Sequence, residues 1–283
     1  MDVLGQRLQK RKMDNIGKQY PSVLTIAGSD SGGCAGIQAD IKSISACGSY
    51  AASVITATTA QNTLGVFDIH AIPLKHIEKQ LSVVLDDIPF GAIKIGMLHS
   101  SEIIQLIQSK LREYRIKNIV VDPVMVATSG DKLINDDALN SLCEFLPDAT
   151  LITPNAREAE LLIEKQITSD NAEIIAKEIG LKYNTSVLLK GGHIDYENSK
   201  VVDFLFLKKT NNVSKITHPK IDTKNTHGTG CSLSSSIAAF LSLNYHLETA
   251  VSKGCYYVNE AINNGKNMIL GKGNGPINHF GLK

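Results

Sequence analysis

The sequence predicts an α/β protein built on an open, mostly parallel central sheet with helices on both faces, a three-layer α/β/α arrangement. Two patterns carry that prediction. Short runs rich in β-branched residues are apolar at nearly every position, as strands buried on both faces are. Between them lie segments whose apolar residues recur every three or four positions, the period of a helix with one buried face. A third observation concerns function: the glycine-rich and polar stretches fall where those strands end, which is where open parallel sheets collect ligands.

In chain order, strands are expected at 22–28 (SVLTIAG), 53–56 (SVIT), 92–96 (AIKIG), 118–122 (NIVVD), 150–154 (TLITP) and 186–192 (SVLLKGG). Helices are expected at 37–47, 74–87, 101–114 and 171–180, each with an apolar stripe. Residues 201–218 read as a late hairpin, followed by two terminal helices. An eight-stranded barrel is the competing architecture, and the hairpin and terminal helix pair argue for the open sheet. The basic, polar opening of the chain reads as a flexible extension over 1–20, leaving a single domain over 21–283.

Composition narrows the function. With 29 basic and 28 acidic residues the formal charge is +1, so nothing favours a nucleic-acid partner or an anionic membrane. Small molecules are the expected partners. The five cysteines form no CxxC pair and have no histidines at zinc spacing, which fits a reducing, cytoplasmic setting. No apolar run reaches the roughly 18 residues of a membrane span, and no signal-peptide core is visible.

The stretch NTHGTGCSLSSSIAAF, residues 225–240, places Cys231 at the start of a helix, directly after the turn Gly228-Thr229-Gly230. A helix N-terminus offers unpaired N–H groups and the positive end of its dipole, a setting that binds phosphate and lowers a thiol pKa to roughly 3.5–7.5. A small buried hydrophobe is the alternative reading. Neither GxxxxGK[ST] nor a GxGxxG after the first strand occurs, so this turn is the best candidate for a phosphate site.

The strings LTIAGSDSGGCAGIQADIK, VITATTAQNT, KIGML, DPVM, LITPN followed by Glu158, LLKGGH and KNTHGTGC occur in that order. Together they resemble the hydroxymethylpyrimidine and phosphomethylpyrimidine kinases of thiamine synthesis, in the vitamin-kinase branch of the ribokinase-like superfamily. The likeness runs from Val23 to the GKGNGPINHF tail at 271–280. It implies ATP-dependent phosphorylation of a hydroxymethyl group on an aromatic ring, then of the resulting phosphate ester. Hydroxymethylpyrimidine, its monophosphate and ATP are the implied small-molecule partners, with Mg²⁺ as the cofactor; a homodimer is left open.

Under that resemblance Gly228, Thr229, Gly230 and Cys231 supply backbone donors to the transferring phosphoryl group, and Cys231 accepts the hydroxyl proton. Gln61 is the substrate-edge candidate, since its amide offers a donor beside an acceptor, matching an amino group next to a ring nitrogen; a strand-end amide bonding its own backbone is the alternative. Gly28 brings backbone close to the ring, Met97 and Val124 wall it or are plain core, and Asp30 contacts substrate or only forms a turn. Asn155 and Glu158 match the element that holds Mg²⁺ through water, although NxxE is equally a helix cap. Asp122 and Lys190 are expected beside the ATP phosphates, and His227 is a loop residue near the site.

One departure from the family pattern stands out. Relatives read SGGAG in the first loop, whereas SGGCAG places Cys34 where glycine is expected, a strained position if φ is positive there. Pyridoxal kinase, a vitamin sensor without turnover, and a cysteine acyl-transfer enzyme are the alternative functions. The last lacks a His/Asp partner pattern for Cys231.

Overall fold

A computed structural model of the chain describes residues 19–125, 135–192, 194 and 200–281. The expected N-terminal extension falls outside the described residues except for Gln19 and Tyr20. Nine strands are described: β1 Ser22–Asp30, β2 Tyr50–Asn62, β3 Gly65–Ala71, β4 Ala92–Ile95, β5 Ile119–Val121, β6 Leu151–Ile152, β7 Ser186–Leu189, β8 Lys200–Leu207 and β9 Asn212–Pro219. Eight α-helices accompany them: α1 Gly36–Ala46, α2 Leu74–Asp87, α3 Ser101–Glu113, α4 Asp136–Phe145, α5 Ala156–Ile163, α6 Ala172–Lys182, α7 Thr229–Ser242 and α8 Leu247–Gly265.

The strands form one sheet in the order β3-β2-β1-β4-β5-β6-β7-β8-β9. In that order the six from β2 to β7 pair in parallel, and β3, β8 and β9 add antiparallel at the two edges. The sheet is therefore open, with β3 and β9 as edges, and the barrel is excluded.

Alternation along the strands sorts the core into two layers, because successive side chains point to opposite faces. Leu24, Ile26, Ile93, Ile95, Val121 and Ile152 pack against α2 to α6. Val23, Ala92, Val120, Leu151 and Leu188 face α1, α7 and α8. This second layer contains an ion pair: Lys94 Nζ lies 2.8 Å from Asp40 Oδ2, and both side chains are fully buried. Thr25 at 2.6 Å and Ser235 at 2.7 Å donate to the same carboxylate. Leaving either ion without its partner would cost about 3–5 kcal/mol. The pair thus ties β4, α1 and α7 together directly beneath the site.

Three features depart from the expected elements. β2 is 13 residues long rather than four, because its second half leaves the core and turns back into β3 as a hairpin. β3 has no buried residue, so it carried no periodic signal. α4 was also unforeseen, and it starts on an Asn135 cap that accepts from the Ala138 N–H at 2.8 Å. Among the described residues no helix is long and apolar enough to cross a membrane.

Candidate functional site

The C-terminal ends of the parallel strands and the start of α7 meet on one rim. Gly228 caps α7 with φ of +81°, and a Cβ there would overlap the Cys34 carbonyl oxygen. Gly36, at φ of +55°, is equally constrained by the Gly28 carbonyl. The first loop therefore lies directly on the turn that starts α7, and only glycine permits it. Asp30 gathers that loop: its carboxylate accepts from the N–H groups of Gly32, Cys34 and Ala35 at 2.8, 2.9 and 2.8 Å. These bonds give Asp30 the turn-forming role among its two expected readings. Cys34 is not among the residues with positive φ, so the expected strain is absent; Gly33 and Gly36 take the left-handed positions instead. The Cys34 side chain is buried.

Within the turn, the Thr229 N–H is engaged by the Thr226 carbonyl at 3.2 Å. This departs from its expected role as a free donor, and Gly230 and Cys231 remain as the first-turn amides facing the rim. Opposite them is a charged cluster. Lys190 Nζ is 2.8 Å from Asp122 Oδ1 and 4.0 Å from Glu158 Oε2. A Cβ on Gly230 would sit 3.3 Å from that Nζ and 3.4 Å from Asp122 Oδ2. The lysine, the carboxylate and the helix start thus converge on one point.

Electrostatics follow from burial and pairing. Burial pushes the Asp122 carboxyl up, but Lys190 and Lys94, with the Thr153 hydroxyl at 3.1 Å, hold it below the usual range. Burial alone would lower Lys190, yet Asp122 and Glu158 raise it, so it stays charged. Glu158 is pushed up to about 7 by burial, with Asp122 adding to the rise and Lys190 opposing it. Asn155 and Glu158 also form a reciprocal capping box at the start of α5, at 2.8 and 3.0 Å, so the local reading of that motif holds geometrically. The cap aims the Glu158 carboxyl back toward Lys190. Two carboxylates beside the start of α7 are the hard oxygen donors that Mg²⁺ takes, so the donor set fits that ion.

The thiol needs a correction. Burial pushes Cys231 up to about 11, and Asp40 and Asp122 add to the rise; Lys94 and a hydrogen bond from the Gly36 N–H pull it down without prevailing. The helix dipole was expected to give a thiolate near neutral pH, but desolvation outweighs it. Lys94, present in the KIGML string without an assigned role, is the buried cation that most favours the thiolate.

On the other side of the rim, Ser31 fixes the Gln61 backbone through two 2.9 Å bonds. The Gln61 side chain lies between Thr59, whose hydroxyl donates to Oε1 at 3.1 Å, and His227 Nε2, 3.2 Å from Nε2 of the amide. Burial lowers the His227 pKa and favours the neutral ring, and in the tautomer that leaves Nε2 unprotonated the ring accepts from the amide. That fixes which end of Gln61 is the donor and leaves its second N–H and second lone pair for a ligand. Sequence reasoning placed His227 near the site but missed this orienting role. The GKGNG tail supports it: Gly275 accepts from the His227 N–H at 3.1 Å, and Asn225 donates to Gly265 and Met268, each at 2.7 Å. Between the two halves, Met97 packs 3.2 Å from where a Gly28 Cβ would be, and Val124 is half-buried just past β5. His193 of LLKGGH lies outside the described residues.

Comparison with known proteins fits this geometry. The sequence pattern of the family described as phosphomethylpyrimidine kinase matches residues 30–278. The hydroxymethylpyrimidine/phosphomethylpyrimidine kinase of Rhizobium meliloti is 44% identical over 260 residues, covering 91% of this chain and 96% of that protein. The thiamine biosynthesis bifunctional protein ThiED of Geobacter sulfurreducens is 46% identical over 92% of this chain, which spans 52% of that longer protein. Among solved structures, a Bacillus subtilis pyridoxal kinase in complex with ADP aligns with a TM-score of 0.84 at 31% identity, covering 92% of this chain and 98% of that one. With a ribokinase-like α/β fold and this rim, the chain belongs to the phosphomethylpyrimidine kinase family.

Proposed function

We propose that the chain phosphorylates 4-amino-5-hydroxymethyl-2-methylpyrimidine with ATP, and then phosphorylates the product again to the diphosphate. The observation that carries this reading is the convergence of Lys190, Asp122 and the Gly230 end of α7 on one point, opposite the oriented amide of Gln61. Phosphoryl transfer asks mainly for positioning and for neutralisation of charge on the transferring group. Gly230 and Cys231 amides receive that group, Lys190 adds a point charge, and Gln61 reads the aminopyrimidine edge while Met97 and Val124 flank the ring. Asp122 and Glu158, beside the Asn155 cap, would hold Mg²⁺. When bound, the ion neutralises phosphate charge. Asp30 and Gly28 hold the first loop over the substrate.

The attacking hydroxymethyl oxygen loses its proton as its bond to the γ-phosphorus of ATP forms and the bond from that phosphorus to the bridging oxygen breaks, leaving ADP. Cys231 is a thiol at neutral pH in the free enzyme, so base catalysis by its thiolate draws on a small fraction that grows with pH. Lys94 and the Gly36 N–H stabilise that fraction. A loose transition state needs only modest help from a base, so a mostly protonated Cys231 is compatible with turnover.

The likeness to a pyridoxal kinase supports a second reading, because pyridoxal also carries a hydroxymethyl group on an aromatic nitrogen ring. ADP release measured in parallel with hydroxymethylpyrimidine, its monophosphate and pyridoxal separates the two; turnover with pyridoxal alone would overturn the main reading. A homodimer is supported by the exposed apolar residues Leu64, Val66, Phe67 and Ile69 on and beside β3. The five free cysteines support a reducing, cytoplasmic setting.

A further inference from the structure

On the α8 side of the sheet, away from the phosphate rim, Asp203 of β8, His218 of β9 and Cys255 of α8 bring one carboxylate oxygen, one imidazole nitrogen and one sulfur together. We propose that these three side chains form a transition-metal site of the zinc class, separate from the catalytic centre.

The placement follows from the fold. In the β8–β9 ladder His218 pairs with Val201 and Ile216 pairs with Asp203. Asp203 and His218 are therefore diagonal neighbours on one face of the hairpin, within reach of each other. That face packs against α8, which supplies Cys255 from above. The three donor atoms lie within 4.8 Å of one another. His218 Nε2 is 3.4 Å from Asp203 Oδ2, and Cys255 Sγ is 3.9 Å from the same oxygen.

Zinc bond lengths of about 2.0–2.2 Å to nitrogen and oxygen and about 2.3 Å to sulfur, at a tetrahedral angle, require donor–donor edges of roughly 3.3–3.6 Å. The Asp203–His218 and Asp203–Cys255 edges are that length or a few tenths longer and the third lies within 4.8 Å, so closure around an ion asks the His218 and Cys255 side chains to draw together. Two further observations point to a ligand. His218 Nε2 is buried without a hydrogen-bond partner, and such orphaned groups call for an explanation. The His218 side chain also keeps 16% of its surface exposed, which gives a path from solvent to the otherwise buried trio. Three protein donors leave a fourth position for water, and nitrogen with sulfur selects zinc over magnesium.

The site also touches the kinase machinery at one remove. The second Asp203 oxygen accepts the Gly191 N–H at 2.8 Å, and Gly191 follows Lys190. An ion bound to Asp203 would therefore bear on the segment that carries the phosphate-site lysine.

The test uses Co²⁺ as a spectroscopic probe on the full-length protein after chelator treatment and dialysis. One equivalent should give the d–d bands of a tetrahedral ion together with a sulfur-to-cobalt charge-transfer band, both removed by Zn²⁺. Cys255→Ser should abolish the charge-transfer band. His218→Ala should weaken binding by about 100-fold or more, beyond the 10–100-fold typical of losing an outer-shell partner. Neither residue belongs to the rim, so unchanged basal kinase turnover certifies that both variants fold. Absence of a charge-transfer band at one equivalent, or a band that survives Cys255→Ser and so comes from another cysteine, would overturn the proposal and leave the trio as a packing cluster only.

Discussion

Replacing Gly228 by alanine probes the contact on which the site is built. The residue has φ of +81°, so a side chain adds about 1–2 kcal/mol of left-handed strain. The new Cβ would also lie 2.9 Å from the Cys34 carbonyl carbon and 3.3 Å from the Ala35 Cα, besides overlapping the Cys34 oxygen. Optimal carbon contacts are about 3.5–4.0 Å, so the first loop must retreat by roughly 1 Å. Overpacking of this kind costs about 1–3 kcal/mol, giving a total of about 2–5 kcal/mol and a fall in Tm of roughly 5–15 °C. A misplacement of about 1 Å at a catalytic site costs on the order of 10²-fold in rate. The control is Gly48→Ala, where φ is +91° but nothing lies within 4 Å of the added carbon. That variant should show the left-handed strain alone, about 1–2 kcal/mol, with kcat intact. Thermal melts and steady-state kinetics on both variants decide the matter. If Gly228→Ala keeps kcat within threefold of the parent, the close packing of loop on helix start is not what positions the transferring group.

Gln61→Ala should raise KM for the pyrimidine well above any change for ATP, by an amount worth about 1–3 kcal/mol, and His227→Ala should give a smaller rise of the same kind by freeing the amide to rotate; equal effects on both substrates would assign Gln61 a structural role. Alkylation of Cys231, isolated by comparison with Cys231→Ala, should follow a thiolate titrating near pH 11 in the free enzyme, and a midpoint near 7 would restore the poised-thiolate picture. Cys231→Ala should lower kcat by no more than about 10²-fold, and Cys231→Asp should recover part of it. Because the folded pKa of Cys231 lies above its unfolded value, its contribution to stability is complete below about pH 9 and is lost as pH rises toward 11, so chemical denaturation should show weaker alkaline loss in Cys231→Ala. Glu158, raised to about 7, must lose its proton to hold a cation, so the Mg²⁺ concentration for half-maximal rate should fall as pH rises from 6 to 8, and a pH-independent value would remove Glu158 from the metal site.

The buried strands were legible because β1, β5 and β7 are largely apolar on both faces, as is β4 apart from Lys94, and α1, α2, α3 and α6 because each has a stripe; α4 was not read. β3 was not: with every residue exposed, it is specified by its pairing with β2 and by the tail, whose Lys272 and Gly273 N–H groups bond Thr63 at 3.2 and 3.1 Å. The rim could be placed because glycines mark it, and Gly36 and Gly228 turn out to be required, the first by the close approach of the Gly28 carbonyl and the second by that of Cys34. Charge states could not be placed. The pKa of Cys231 depends on Asp40, Lys94 and Asp122, which lie between 109 and 191 positions away in sequence, so helix position alone predicted the wrong direction. The same distance in sequence hid the pairing of His227 with Gln61.

The account's central claim is two successive phosphorylations at one rim, and ³¹P NMR of a reaction containing hydroxymethylpyrimidine, excess ATP and Mg²⁺ tests it most directly. The spectrum should show a monophosphate ester that rises first and then gives way to the paired resonances of a diphosphate, with both phases slowed together in Lys190→Met. A monophosphate that accumulates without ever yielding diphosphate, or a variant that slows one phase and spares the other, would contradict it.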